Sequence, residues 1–214
     1  MSPKNINIFT IFVLISLLIF ISCSSPTESN ALFQTKRIYH TKNQLISNSE
    51  MTIVQGLFQK NSLSLSNLQV YRLDLHDDYR YVRCYQFYNN LELFTNDVVF
   101  TFNNQDILSF IGGDLITSIT VDTRPRVSEK DAGTLFYGEI KNDWRFKDSL
   151  SSYGGQGFTA ELGFYNLNSG MSYVQNNFVL AWKMKVANGS EYPCGYIRAD
   201  SLRLIYYTNG IILG

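Results

Sequence analysis

Two stretches of the chain carry apolar residues at helical spacing, and each opens on a capping pattern. Ser47-Asn48-Ser49-Glu50 has the shape of a capping box, and Met51, Val54, Leu57 and Phe58 follow at i, i+3, i+6 and i+7. Ser128-Glu129-Lys130-Asp131 repeats the shape in weaker form. Ala132, Leu135, Phe136, Ile140 and Trp144 then trace a second stripe. The spacing predicts helices over 48–60 and 129–146.

After each helix the pattern turns to alternation. Strands are predicted over 68–75, 79–88, 93–102 and 107–111, and again over 158–165, 178–186, 195–198 and 202–207. Leu75-His76-Asp77-Asp78 and Asn103-Asn104-Gln105-Asp106 supply turns in the first set. Asn188-Gly189 and Asp200-Ser201 supply them in the second. Ser151-Ser152-Tyr153-Gly154-Gly155 reads as a loop. Both halves thus run capped helix, meander, terminal hairpin. The expected fold class is α+β, as two helix-plus-antiparallel-sheet units, 45–122 and 123–214, divided around Arg124-Pro125-Arg126.

Along 79–88, period-two counting puts Tyr79, Tyr81, Tyr85 and Phe87 on one face and Arg80, Val82, Cys84, Gln86 and Tyr88 on the other. The pattern leaves open which face is buried under a helix. Aromatic residues on a face left free would mark a contact surface.

The N-terminus has a different pattern. Lys4 is followed by a run from Ile8 to Ile21 broken only by Thr10 and Ser16, and Phe20-Ile21-Ser22-Cys23 has the form of a loose lipobox. A run this short suits a signal peptide better than a bilayer span. The expected products are a cleaved lipoprotein signal at 1–22, lipidation of Cys23 and a polar tether over 23–44. The protein would then be held at a membrane surface of a bacterial cell envelope through the Cys23 lipid.

Composition narrows the function classes. Losing residues 1–22 removes only Lys4 and leaves 17 basic and 18 acidic side chains, so no polybasic nucleic-acid footprint exists. The 14 Tyr and 15 Phe favour sheet. Cys84 and Cys194 remain after Cys23; outside the cytosol they are open either to a disulfide or to two separate thiols. Only His40 and His76 occur, with no His-Glu-x-x-His pair, nucleophile elbow, P-loop or dinucleotide glycine motif. Asp74-Leu75-His76-Asp77-Asp78 reads as a solvated turn before it reads as a metal cluster. No catalytic residue, metal ligand or cofactor site is assigned, and the chain is not expected to be an enzyme.

Val82-Arg83-Cys84-Tyr85-Gln86-Phe87-Tyr88-Asn89-Asn90-Leu91-Glu92-Leu93-Phe94, running on to Asp97-Val98-Val99, resembles the fungalysin/thermolysin propeptide domain. Val82, Arg83, Gln86, Tyr88, Phe94 and Val99 match that family's pattern, with Leu93 and Val98 as apolar stand-ins. Asn90 and Glu92 stand where the family usually has Gly and Pro, and Thr95-Asn96 replaces a small pair. Leu180-Ala181-Trp182-Lys183-Met184-Lys185-Val186 resembles a PepSY strand. Tyr196-Ile197-Arg198-Ala199-Asp200-Ser201 with Leu204-Ile205-Tyr206-Tyr207 resembles that domain's closing hairpin, with Arg198 in place of Asp. The resemblance covers roughly residues 45–210 and implies cystatin/PepSY-like units. In secreted metallopeptidases such a region precedes the catalytic domain, assists its folding and blocks its cleft. The chain stops at Gly214, about where a peptidase would begin. The expectation is therefore a non-catalytic, propeptide-like lipoprotein that inhibits a secreted metallopeptidase or assists its folding in trans. The alternative is a structural or interaction lipoprotein of the envelope with no peptidase partner.

Overall fold

Ser47 starts the first helix, α1 (Asn48–Lys60), as its spacing predicts. The Ser47 Oγ accepts from the Glu50 amide, and the Glu50 carboxylate accepts the Ser47 amide at 2.8 Å, so two otherwise orphaned donors are satisfied reciprocally. Val54, Leu57 and Phe58 form its buried stripe. At its end Asn61 donates to the carbonyls of Leu57 and Asp106 and accepts from the Leu108 amide, tying the helix to a hairpin far along the chain. The second helix, α2 (Glu129–Asn142), opens on Ser128, whose Oγ accepts from the Asp131 amide. It ends earlier than predicted. Asp143 is extended, and Trp144, read as part of the helical stripe, lies beyond the helix and is 70% exposed.

The computed structural model describes residues 34–39, 44–145, 157–171, 174–187 and 191–210. The proposed signal, Cys23, the loop at 151–155 and the Asn188-Gly189 turn lie outside them. The described residues belong to one unit, Phe33–Gly214.

Ten strands form the sheet: β1 (Thr35–Ile38), β2 (Leu68–Leu75), β3 (Tyr79–Tyr88), β4 (Leu91–Leu93), β5 (Val98–Asn103), β6 (Leu108–Gly112), β7 (Phe158–Asn166), β8 (Phe178–Val186), β9 (Cys194–Arg198) and β10 (Leu204–Thr208). Their order is β10-β9-β8-β7-β4-β3-β5-β6, with β1 also on β7 and β2 also on β3. This corrects the expected pair of helix-plus-antiparallel-sheet units: the strands make one continuous sheet, mixed though largely antiparallel. The reason lies in 93–102, which the alternation presents as one strand. The chain breaks at 94–97 into β4 and β5. β5 stays antiparallel to β3, while β4 pairs with β3 and also runs parallel to β7, Glu92 opposite Gly163 and Leu93 opposite Phe164. The β3–β4 turn is made by Asn89 and Asn90, both at positive φ, as a type I′ turn requires. β1, too short to show in the pattern, is a second parallel partner of β7. Its close approach to α2 depends on Gly133, where any Cβ would collide with the Thr35 hydroxyl.

Apolar side chains from one pleat face of the sheet meet the helices in two clusters. Val54, Leu57 and Phe58 pack on Val70, Val82, Cys84, Val98, Phe100 and Phe102, with the Phe58 and Phe100 rings 4.8 Å apart. Phe136 and Ile140 pack on Phe158, Phe164, Leu180, Trp182, Met184 and Ile197. The Trp182 indole N–H, buried here, donates to the Val127 carbonyl at 2.9 Å. Tyr88, in phase with Val82 and Cys84, already packs against this second cluster, so β3 carries the buried face from one to the other.

Candidate functional site: the helix-free face of the sheet

The burial of Val82 and Cys84 against α1 decides the question the alternation left open. Tyr79, Tyr81 and Tyr85 lie on the opposite, helix-free face. Phe87 follows the same period but is buried, where β3 pairs with β4 opposite Glu92. The registers extend this face sideways: Tyr81 stands opposite Asp74 on β2 and Thr101 on β5, and Thr101 stands opposite Phe110 on β6. One strand step away, Arg83 stands between Arg72 and Val99.

Polar contacts hold this platform in shape. Tyr71 stacks on Tyr85 with ring centroids 4.3 Å apart and donates its hydroxyl to Asp97 at 2.9 Å. Burial, then the Asp97 hydrogen bond and charge, push the Tyr71 hydroxyl up to about 12, so it stays a donor. Asp74 accepts from Arg72 at 2.7 Å and from Arg83 at 3.4 Å. The Arg72 bond is the main cause holding the Asp74 carboxyl below its ordinary range. His76 lies at the tight β2–β3 turn, its amide bonded to the Tyr79 carbonyl and its ring edge-on to Tyr81. Among the described residues no three His, Cys, Asp or Glu side chains are grouped as metal ligands would be.

Over β7–β10 the helix-free face is built differently. Gly163 and Ala181, paired across β7 and β8, make a floor without bulk. The Phe94 ring lies across it and reaches Tyr196 on β9, centroids 5.5 Å apart. Tyr165 and Tyr206 flank Tyr196 at 4.9 and 6.5 Å. The Lys183 ammonium sits 4.9 Å from the Phe94 ring centre and 3.7 Å from the Glu92 carboxylate, which is itself buried. Burial raises the Tyr196 hydroxyl above its ordinary value, with Cys194 adding to it. Beside this cluster opens a cleft of roughly 570 Å³ between β8, β9 and β10.

Cys84 and Cys194 are both free and buried. Four strand spacings separate β3 from β9 in the sheet order, roughly 19 Å, far beyond disulfide reach. The candidate bridge is therefore not formed in this structure: Cys84 faces α1, whereas Cys194 lines the cleft. Burial pushes the Cys84 thiol up to about 12 and raises Cys194 in the same direction. Cys23 lies outside the described residues, among which no helix is long and apolar enough to cross a membrane. Reading the sequence located the β3 aromatic face but missed the Phe94, Glu92 and Lys183 group. Its only trace is the pair of small residues, Gly163 and Ala181, within two strongly apolar strands.

No family model matches the chain, and no curated protein does. The propeptide resemblance of residues 82–99 thus has no family-model support. Among solved structures, the Bacillus megaterium YpeB C-terminal domain is a weak neighbour, at TM-score 0.36 and 11% identity over 79% of this chain and 67% of that one.

Proposed function

We propose that this chain is a non-catalytic, lipid-anchored envelope protein that docks a partner protein on its helix-free sheet face over β2, β3, β5 and β6. The observation that carries this reading is the composition of that face. Tyr71, Tyr79, Tyr81, Tyr85 and Phe110 share it with Arg72 and Arg83 and no lysine, and Phe110 is 64% exposed. Tyr and Arg are the side chains that anchor protein interfaces, because each gives a large contact area together with directional hydrogen bonds. The partner class comes from the resemblance at Val82–Val99: a secreted metallopeptidase, inhibited or assisted in folding in trans.

Titrating the chain against thermolysin-like peptidases tests the reading. Binding at about micromolar concentration is expected, with Tyr81→Ala and Arg83→Ala each weakening it about tenfold or more. No binding in that range removes the peptidase from the proposal. The second reading, an envelope interaction protein without a peptidase partner, is favoured by one feature: Asn90 and Glu92 replace the Gly and Pro of the propeptide pattern at the β3–β4 turn. The anchor has its own test. Labelled fatty acid should enter the wild-type chain and not Cys23→Ala, and labelling of the variant overturns the lipoprotein reading.

A further inference from the structure

The cleft between β8, β9 and β10 is lined by Lys183, Lys185, Glu191, Tyr192, Tyr196 and Tyr206, among others. Two properties decide what it can hold. The first is ring surface at its mouth: Tyr192 and Tyr206 are 44% and 49% exposed, and Tyr196 lies between β8 and β10 as part of the floor. The second is charge balance. Lys183 is held by Glu92, and Glu161 stands opposite Lys183 on β7. Glu191 lines the cleft together with Lys185, and Arg198 nearby is bound to Asp200. Three basic side chains thus face four acidic ones, so the charges nearly cancel and no strong field draws an anion or a cation into the cleft.

The walls still offer both donors and acceptors: ammonium groups, a carboxylate, tyrosine hydroxyls and the Thr208 hydroxyl. A ligand suited to them is uncharged, rich in hydroxyls and able to lay flat C–H faces on aromatic rings. The geometry points to a neutral oligosaccharide as the ligand of this cleft, seated against Tyr192 and Tyr206 and hydrogen-bonded by Lys185 and Glu191. The volume, roughly 570 Å³, lies in the range of small-molecule sites. The inference is independent of the proposed protein-docking platform, which lies on β2, β3, β5 and β6.

The test uses the full chain in a sugar-free detergent, titrated with chitotetraose, cellotetraose and maltotetraose. Binding is read by saturation-transfer NMR and calorimetry. At least one of the three should saturate below roughly 10 mM. Tyr206→Ala should weaken that binding about tenfold, while Tyr206→Phe, which keeps the ring face, should retain most of it. Tyr206 lies half-exposed on an edge strand, so its truncation leaves the core intact; Tyr192→Ala, at the ring beside Gly210, gives a second reading. Tyr81→Ala and Arg83→Ala should leave sugar binding unchanged, which separates this site from the docking platform. The proposal is overturned if none of the neutral sugars saturates in that range, or if Tyr192→Ala and Tyr206→Ala both bind as wild type does. It is also overturned if tetragalacturonate, with a carboxylate on every ring, binds more tightly than all three.

Discussion

The region under α1 and the region under α2 use the same device, a Ser-capped helix over an apolar sheet face, yet they finish their other face in opposite ways. Under α1 the strands alternate cleanly: in β5, Val98, Phe100 and Phe102 are buried while Val99, Thr101 and Asn103 are only partly so. The outward residues stay spread over the surface as a platform. Under α2, β7 and β8 are buried over most of their length, and the second face is roofed by Phe94 and closed by Glu92 and Lys183. β5 is flanked on both edges as well, by β3 and β6, so a central position alone does not set the difference. β7 has β8 on one side and two parallel partners, β1 and β4, end to end on the other, and its free face lies under the Phe94 ring; parallel pairing with both faces covered removes polar alternation. A strand's neighbours, more than the helix above it, set the character of its free face.

The largest expected effect tests whether the two regions are thermodynamically joined. Trp182→Ala empties the centre of the α2 cluster and leaves the Val127 carbonyl without its donor, so a loss of about 3–5 kcal/mol is expected. Because one sheet runs through both regions, the variant should still unfold in a single transition at lower urea. Far-UV circular dichroism and near-UV signals from the tyrosines should move together. Two separated transitions would show that the α1 region survives alone and that the sheet, though continuous, is not the cooperative unit.

A pair of glycine substitutions sharpens the contrast between the two free faces. A Cβ at Gly163 meets the Phe94 ring and lies 2.6 Å from the Glu92 carbonyl oxygen, so backbone must shift. Gly163→Ala should cost about 1–3 kcal/mol. The counterpart on the α1 side, Gly112, would place its Cβ 3.3 Å from the edge of Phe110, an exposed ring that can swing aside. Gly112→Ala should therefore stay within about 0.5 kcal/mol of wild type. Chemical denaturation of both variants checks the pair; equal losses would mean the α1-side face is as closely packed as the other.

The same contrast explains what was legible in the sequence. Where environment is local, the reading carries through: both capped starts, β2, β3 and β8 fall where their patterns put them. Where a choice depends on distant partners, it does not. Nothing within 93–102 announces that the chain breaks there, because β4 is defined by pairing with β7, some 70 positions later. Four-residue β1 carries no periodicity of its own and exists as a ladder on β7. Trp144 keeps helical phase with Ile140, but Asp143 has turned extended, its carboxylate taken by the Tyr207 hydroxyl and the Arg145 amide. Of the free face, the β3 aromatics were readable by period two, whereas the Phe94 roof was not, since it joins residues from β4, β7, β8 and β9.

The helix starts offer a smaller test. Ser47→Ala removes one partner of a reciprocal box, and Ser128→Ala removes the Oγ that accepts the Asp131 amide. Each should cost about 1 kcal/mol, read as a lowered urea midpoint at unchanged slope. The two losses should be alike, because capping is local and blind to the free face beneath. A clearly larger loss at Ser128 would mean that α2 depends on its cap for more than its first turn.

The smallest effect expected is electrostatic and lies at the closing hairpin. Arg198 donates to Asp200 through two nitrogens, at 2.8 and 2.6 Å. That bond, followed by the Ser201 hydroxyl, lowers the Asp200 carboxyl from its ordinary 3.8 to about 2. A carboxyl depressed in the folded state stabilises it above the unfolded pKa, and that contribution is lost as pH falls from about 4 towards 2. The two side chains are 30% and 43% exposed, so solvent screening holds the gain below about 1 kcal/mol. Asp74, held down by Arg72 on the α1 side, shifts in the same direction. The acid limb of the stability curve should therefore belong to both regions. Asp200→Asn should flatten only part of it between about pH 4 and 2, leave the slope above pH 5 untouched, and lose its effect in about 1 M salt. Measuring unfolding free energy against pH for wild type and Asp200→Asn checks this. A variant curve parallel to wild type through the acid range would show that the Arg198 pair contributes nothing to stability.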